Sequence, residues 1–238
     1  MNAAFFAIHE GLPREGPGDR ESLDWALGLA GTPRDGRICD AGCGPGADVP
    51  ALLAHVPAGH VHAVDLHAPF IARVRAAHAG DARVTAEVAD MARLAGPYDL
   101  IWSAGAAYHL GVAEALAGWR GALAPGGRIA FSELCWAGAA RPEAAARFFA
   151  TEYPPMTDVA GVLGQIAAAG FRCLGQRFLS RAGWAAYYGP LEARLDALAG
   201  GAEGDAGLAA AIATHRDEIA VWRAHGDSFG YLVCVAAP

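Results

Sequence analysis

Three aspartates stand where successive apolar runs end: Asp40 within 37–41, Asp65 at the close of 60–65, and Asp90 just beyond 83–87. The first run opens into Gly42-Cys43-Gly44-Pro45-Gly46. Glycine is needed where a ligand must approach the backbone closely or where φ is positive, so this is the pattern of a ligand-binding turn. Asp65 follows a little over twenty residues later. A carboxylate at that place can accept from both ribose hydroxyls of a nucleoside. The glycines are spaced Gly-x-Gly-x-Gly, one residue tighter than the dinucleotide pattern, and Asp40 stands two residues before the first of them. That carboxylate would repel a pyrophosphate but suits a cofactor with a cationic amino-acid end. Asp90 lies in Ala89-Asp90-Met91-Ala92, where it can accept from an adenine amino group while Met91 packs on the ring. Leu66 beside Asp65 and Ser103 at the end of 98–103 complete the expected cofactor contacts.

A second group suits the acceptor of a group transfer. His109 follows the run 98–103 and is placed to take a proton, or else to cap a helix; Tyr108 beside it can orient the acceptor. Glu133 ends the run 128–134 and Trp136 follows it. Burial would raise the Glu133 pKa and make it a base or an anchor for a cationic acceptor; a salt bridge with Arg141 is the alternative. Trp184, Tyr187 and Tyr188 can wall a substrate pocket, or simply pack between sheet and helix. Tyr108, Trp136, Trp184 and Tyr188 are thus the expected substrate contacts. The five cysteines form no Cys-x-x-Cys pair, so no metal site is expected, and most read as small core residues.

These residues need a sheet edge to bring them together. Apolar runs at 37–41, 60–65, 83–87, 98–103 and 128–134 alternate with helical stretches at 48–55, 69–79 and 112–122. That alternation predicts parallel strands joined by crossover helices, a doubly wound α/β sheet of the Rossmann-like kind. Helices are expected at 141–150, 159–169 and 207–225, extended segments at 171–179 and 229–235, and an acidic, glycine-rich loop at 200–207. With no repeat and no linker, 1–238 reads as one domain: 1–30 an N-terminal helical lid, 31–136 the cofactor core, 137–238 the substrate side. In the first part, Arg14, Gly16 and Gly18 would fold over the bound cofactor and exclude water.

Composition bounds the partners. The formal charge is −7 and all 18 basic side chains are arginines scattered among acids. Duplex nucleic acid and anionic membranes both need a dense cationic face, so neither is expected as a partner. A small-molecule substrate is expected, with a homodimer as a further possibility. The apolar start 3–8 has no basic flank or cleavage site, which points to a cytoplasmic protein.

The segment 38–134, with its glycine turn, acid series and Leu123-Ala124-Pro125-Gly126-Gly127-Arg128 before the fifth strand, resembles the class I methyltransferases that use S-adenosylmethionine (SAM). The resemblance implies a seven-stranded sheet, mostly parallel, whose last strand at 229–235 runs antiparallel beside 171–179. Arg14-Glu15-Gly16-Pro17-Gly18, the stretch 101–109 and Ser132-Glu133-Leu134-Cys135-Trp136 are similar to a bacterial group within that family. That group carries glutamate where this chain has Ala104. Methyl transfer from SAM to a small molecule is therefore the expected function. The alternatives are a SAM-binding subunit or sensor without catalysis and, against the glycine spacing, an NAD-dependent oxidoreductase.

Overall fold

The computed structural model describes residues 3–202 and 204–238. Its sheet is built from β1 (Arg37–Ala41), β2 (His60–Asp65), β3 (Val84–Val88), β4 (Tyr98–Ala104), β5 (Leu123–Trp136), β6 (Arg172–Phe178) and β7 (Phe229–Ala237). The strands lie in the order β3-β2-β1-β4-β5-β7-β6. β1 pairs parallel with β2 and β4, while β7 runs antiparallel between β5 and β6. The chain leaves β1 toward β2 on one side and later returns to β4 on the other. This switch opens a crevice at the carboxyl ends of β1 and β4, where the glycine turn falls.

Helices cover both faces. α2 (Arg20–Ala30), α3 (Val49–His55) and α4 (Ala68–Ala77) bury Leu27, Leu52 and Ile71 against Ile38, Val61 and Leu100. α5 (Val112–Trp119) and α7 (Val159–Ala168) bury Leu116, Trp119 and Ile166 against Ile101 and Phe131 on the other face. Central strands covered on both sides read as unbroken apolar runs, which is why β1 is buried from Ile38 onward. Side-chain caps fix where several helices begin: Asp19 accepts from Ser22 N, Asp158 from Gly161 N and Asp205 from Leu208 N.

A third cluster sits over the carboxyl edge of the sheet. α1 (Ala3–His9), α6 (Glu143–Glu152), α8 (Arg181–Ala199) and α9 (Ala206–His225) enclose Ile8, Phe149, Trp184, Leu191, Ile212 and Phe229. α8 spans 19 residues where the sequence reading placed no helix. Gly183, Gly189 and Pro190 interrupt its pattern, yet Trp184, Tyr187, Tyr188, Leu191 and Leu195 are buried at helical spacing, and that tertiary burial outweighs the weak propensity. The segment 1–30 also divides. α1 lies on α8 and α9, whereas α2 packs on β5, β6 and β7 and is a sheet-covering helix rather than part of a lid. Residues 1 and 2 of the expected lid, and 203 of the expected 200–207 loop, lie outside the described residues. β5 begins at Leu123, five residues early, because Leu123 pairs with Tyr98 before the register shifts.

Gly46 illustrates how closely the turn is packed. Its φ is +87°, and a Cβ there would lie 2.7 Å from Val74 Cγ2. Gly46→Ala should therefore lower stability by about 2 kcal/mol or more, from strain and overpacking together, as measured by urea denaturation.

Candidate active site

A cavity of about 620 Å³ opens at the crevice beyond β1 and β4. Asp40, Gly42 and Gly44 line it from β1 and its turn, Asp65 and Leu66 from the end of β2, and Asp90 and Met91 from the turn after β3. Ala104, Tyr108 and His109 line it from β4 onward, and Phe6, Arg14 and Gly16 close it from the N-terminal segment. The three aspartates meet because parallel strands present their carboxyl ends on one edge.

Asp40 is 2% exposed, and its Oδ2 has no hydrogen-bond partner within the protein. Burial, reinforced by Asp48 and Asp65, pushes its pKa well above the carboxylate range, and the Arg14 guanidinium opposes the shift. A buried carboxyl oxygen facing a cavity is an acceptor waiting for a donor. Asp65 is already held in place: Oδ2 accepts from Gly44 N at 2.9 Å and Oδ1 from His67 N at 2.8 Å. Each of its oxygens keeps a lone pair for a ligand hydroxyl. Asp90 Oδ1 accepts from Ala92 N, and Trp119 donates to the Met91 carbonyl at 2.6 Å, which steadies that turn.

The glycines divide by role. A Cβ on Gly42 would meet Ala106 Cβ at 2.5 Å and one on Gly44 would meet Glu15 Cγ at 3.2 Å, so both leave room at the cavity wall. Gly46 does not line the cavity and instead lets α4 approach the turn. Ser103 also lies elsewhere: it is fully buried, and its Oγ donates to Ala41 O at 2.9 Å, tying β4 to β1. Gly18 is away from the cavity too, bonded through its N–H to Gly183 O and through its carbonyl to Arg14.

On the acceptor side, Tyr108 is 39% exposed and its ring lies 3.9 Å from that of His109. Burial lowers the His109 pKa, which keeps its imidazole neutral and able to take a proton near neutral pH. Glu133 is 3% exposed and does not line the cavity. Its Oε1 accepts from the Tyr153 hydroxyl at 2.5 Å, and Tyr153 packs edge-on against Tyr108. The expected salt bridge from Glu133 to Arg141 does not form: Arg141 stacks over Trp136 and faces Asp158. Trp136, Trp184 and Tyr188 are buried in the cover cluster, their rings engaged with Phe149, Trp222 and Phe229, and they do not line the cavity.

Arg14 lines the cavity as the lid reading expected, whereas Glu15 and Phe6 are lining residues that the sequence reading did not single out. Arg14 donates to the Gly16 and Gly18 carbonyls and lies 3.6 Å from Asp48, while Phe6 stacks on His67 at 4.0 Å. The Arg14–Gly18 motif was the available signal for the first two. No group of three or more His, Cys, Asp or Glu is placed to hold a metal among the described residues, and no described helix is long and apolar enough to cross a membrane.

Known proteins share this architecture. Residues 38–127 match the methyltransferase domain family. No curated protein matches the chain by sequence. Among solved structures, a SAM-dependent methyltransferase from Geobacter sulfurreducens in complex with S-adenosylhomocysteine is similar at 19% identity, with 100% of this chain and 98% of that one covered and a TM-score of 0.82. A SAM-dependent methyltransferase from Thiobacillus denitrificans, also in complex with S-adenosylhomocysteine, is similar at 16% identity with the same coverage and TM-score. The cyclopropane synthase MmaA2 from Mycobacterium tuberculosis follows at 19% identity, 100% and 95% coverage, and a TM-score of 0.73. Residues 38–127 thus match a methyltransferase domain, and the whole chain has the fold of these methyltransferases.

Burial raises the Glu133 pKa from its ordinary 4.5 to about 7. A carboxyl that holds its proton more tightly when folded stabilises the protein below pH 4.5 and loses that contribution as pH rises through 7. Wild-type stability should thus fall across this window, whereas Glu133→Gln should be flat. At pH 8 the variant should be the more stable by on the order of 1–3 kcal/mol, read from denaturant midpoints.

Proposed function

We propose that this chain transfers a methyl group from SAM to a small-molecule acceptor. The observation that supports this best is Asp40, a buried carboxyl with an unpartnered oxygen on the wall of a glycine-lined cavity. An ammonium group satisfies that oxygen and offsets the cost of burying the charge. Arg14, on the same wall, would meet the carboxylate of the same amino-acid end. Asp65 would receive the ribose hydroxyls, and Asp90 the adenine amino group, with Met91 and Leu66 against the ring.

When bound, SAM supplies a methyl carbon on a positively charged sulfur, and that charge disappears as the new bond forms. The protein therefore needs to align and desolvate rather than to activate strongly. Phe6, Arg14 and Gly16 cover the cavity from the N-terminal side and limit water. Tyr108 and His109 border the same space, Tyr108 to orient the acceptor and neutral His109 to remove its proton. Glu133 acts through Tyr153 and Tyr108 as a positioning group. The arginines are dispersed and largely paired with acids, which favours a small molecule over nucleic acid as substrate.

Calorimetric titration tests the cofactor assignment. Asp40→Asn keeps the shape and removes the charge, so its SAM affinity should drop at least about tenfold, the worth of one charge-assisted hydrogen bond, while thermal unfolding confirms an intact fold. Ser103→Ala should bind as wild type does. Equal affinity of Asp40→Asn and wild type would remove the basis of the assignment.

A further inference from the structure

Behind the N-terminal wall of the cavity, two neighbouring residues of the N-terminal segment form a line with a third from α9. Glu15, which lines the cavity, is 2.6 Å through Oε2 from His9 Nδ1 at the end of α1. His9 Nε2 is 3.1 Å from His215 Nε2 on α9, and His215 Nδ1 is 2.7 Å from the Ala211 carbonyl. His9 is 2% exposed. The other carboxyl oxygen, Glu15 Oε1, is buried with no partner in the protein.

The hydrogen-bond roles follow from these contacts. A carbonyl only accepts, so His215 Nδ1 carries a proton. Two ring nitrogens in contact need one proton between them, and Glu15 Oε2 and His9 Nδ1 need another. Three protons fill the three contacts, one more than a carboxylate and two neutral imidazoles possess. The array is then either a carboxylic acid with two neutral rings or a carboxylate with one shared imidazolium. It already holds a transferable proton, and Oε1 is open to receive a further one.

We propose that Glu15, His9 and His215 form a proton relay that receives the proton shed by the methyl acceptor, so the acceptor atom is an N–H or O–H, as in an amine or a hydroxyl compound. The proposal rests on the methyl-transfer reading above and supplements His109 as the proton's destination. As the acceptor's lone pair bonds to the methyl carbon, the carbon–sulfur pair stays on sulfur and the acceptor's proton passes to Glu15 Oε1. The imidazolium charge then settles on the His9–His215 pair, and His215, partly exposed on α9, returns a proton to solvent. Burial lowers the His215 pKa, which favours that release. The charge of Glu152 of α6 acts on His215, that of His9 acts on Glu218 of α9, and the Tyr187 ring of α8 stands 6.3 Å from that of His9. Glu15 is the member that would touch the acceptor; His9 and His215 act through it.

The test uses two unreactive SAM analogues in calorimetry, each in two buffers of different ionisation enthalpy so that proton exchange is counted. S-adenosylhomocysteine lacks the transferred methyl, and sinefungin carries an amine in its place. Sinefungin should bind with release of about one proton, because a cation beside Oε1 favours the ionised array; S-adenosylhomocysteine should release none. In Glu15→Gln the release should vanish, and sinefungin should lose about tenfold more affinity than S-adenosylhomocysteine does. In nitrogen-15 spectra of the same variant, the His9 and His215 ring resonances should move together. Unchanged proton release in Glu15→Gln overturns the relay, as does an equal loss for both ligands, which would place Glu15 on the amino-acid end. If wild type binds neither ligand, the methyl-transfer reading falls first and takes the relay with it.

Discussion

The site depends on one backbone constraint, the clasp between the glycine turn and the end of β2. Gly42 N and Cys43 N both donate to the Val64 carbonyl, at 2.9 and 3.0 Å, and Gly44 N donates to the Asp65 carboxylate at 2.9 Å. Gly42, Gly44 and Gly46 all have positive φ, so only glycine lets the chain turn this tightly while its N–H groups stay engaged. The clasp aims Asp65 at the cavity, lets α4 close on Gly46 and leaves the buried Asp40 on the cavity wall. The rest of the site is arranged around that fixed edge.

Electrostatics follow from it. Asp40, Asp48 and Asp65 are gathered near one cavity wall, with Arg14 beside them. Such a concentration of acid is unfavourable in the empty protein and becomes favourable when a cationic ligand enters. The protein thus holds the destabilising half of an ion pair in readiness. Glu133 is a second case, a buried carboxyl with Oε1 bonded to one tyrosine, Oε2 unpartnered and its pKa raised by burial. Of the two, only Asp40 lines the cavity, where a bound ligand would alter its protonation state.

The cofactor half of the site was legible in the sequence because its signals are local. A strand, a glycine turn and an acid at the end of the next strand lie within thirty residues, and parallel pairing brings the ends together without further information. The seven strands and the antiparallel β7 beside β6 followed from the family resemblance and are what the structure has. Ser103 and Gly18 were misplaced because type and position alone do not say which way a side chain or carbonyl turns. The acceptor half was poorly legible because long-range packing makes it. His9 meets His215 across 206 residues, and the Trp184–Tyr188 aromatics that looked like a pocket wall are consumed by ring packing within the cover. α8 was hidden by Gly183, Gly189 and Pro190, residues that weaken a local helical signal but not a helix buried on one face.

The edge made by Asp40, the glycine turn and Asp65 is the proposed SAM site. A crystal structure of the protein grown with S-adenosylhomocysteine tests it most directly. The account predicts the ligand in this cavity, its ammonium on Asp40, its ribose hydroxyls on Asp65 and its adenine beside Asp90 and Met91. Ligand bound elsewhere, or lying here with its ribose and amino-acid ends exchanged, would contradict it.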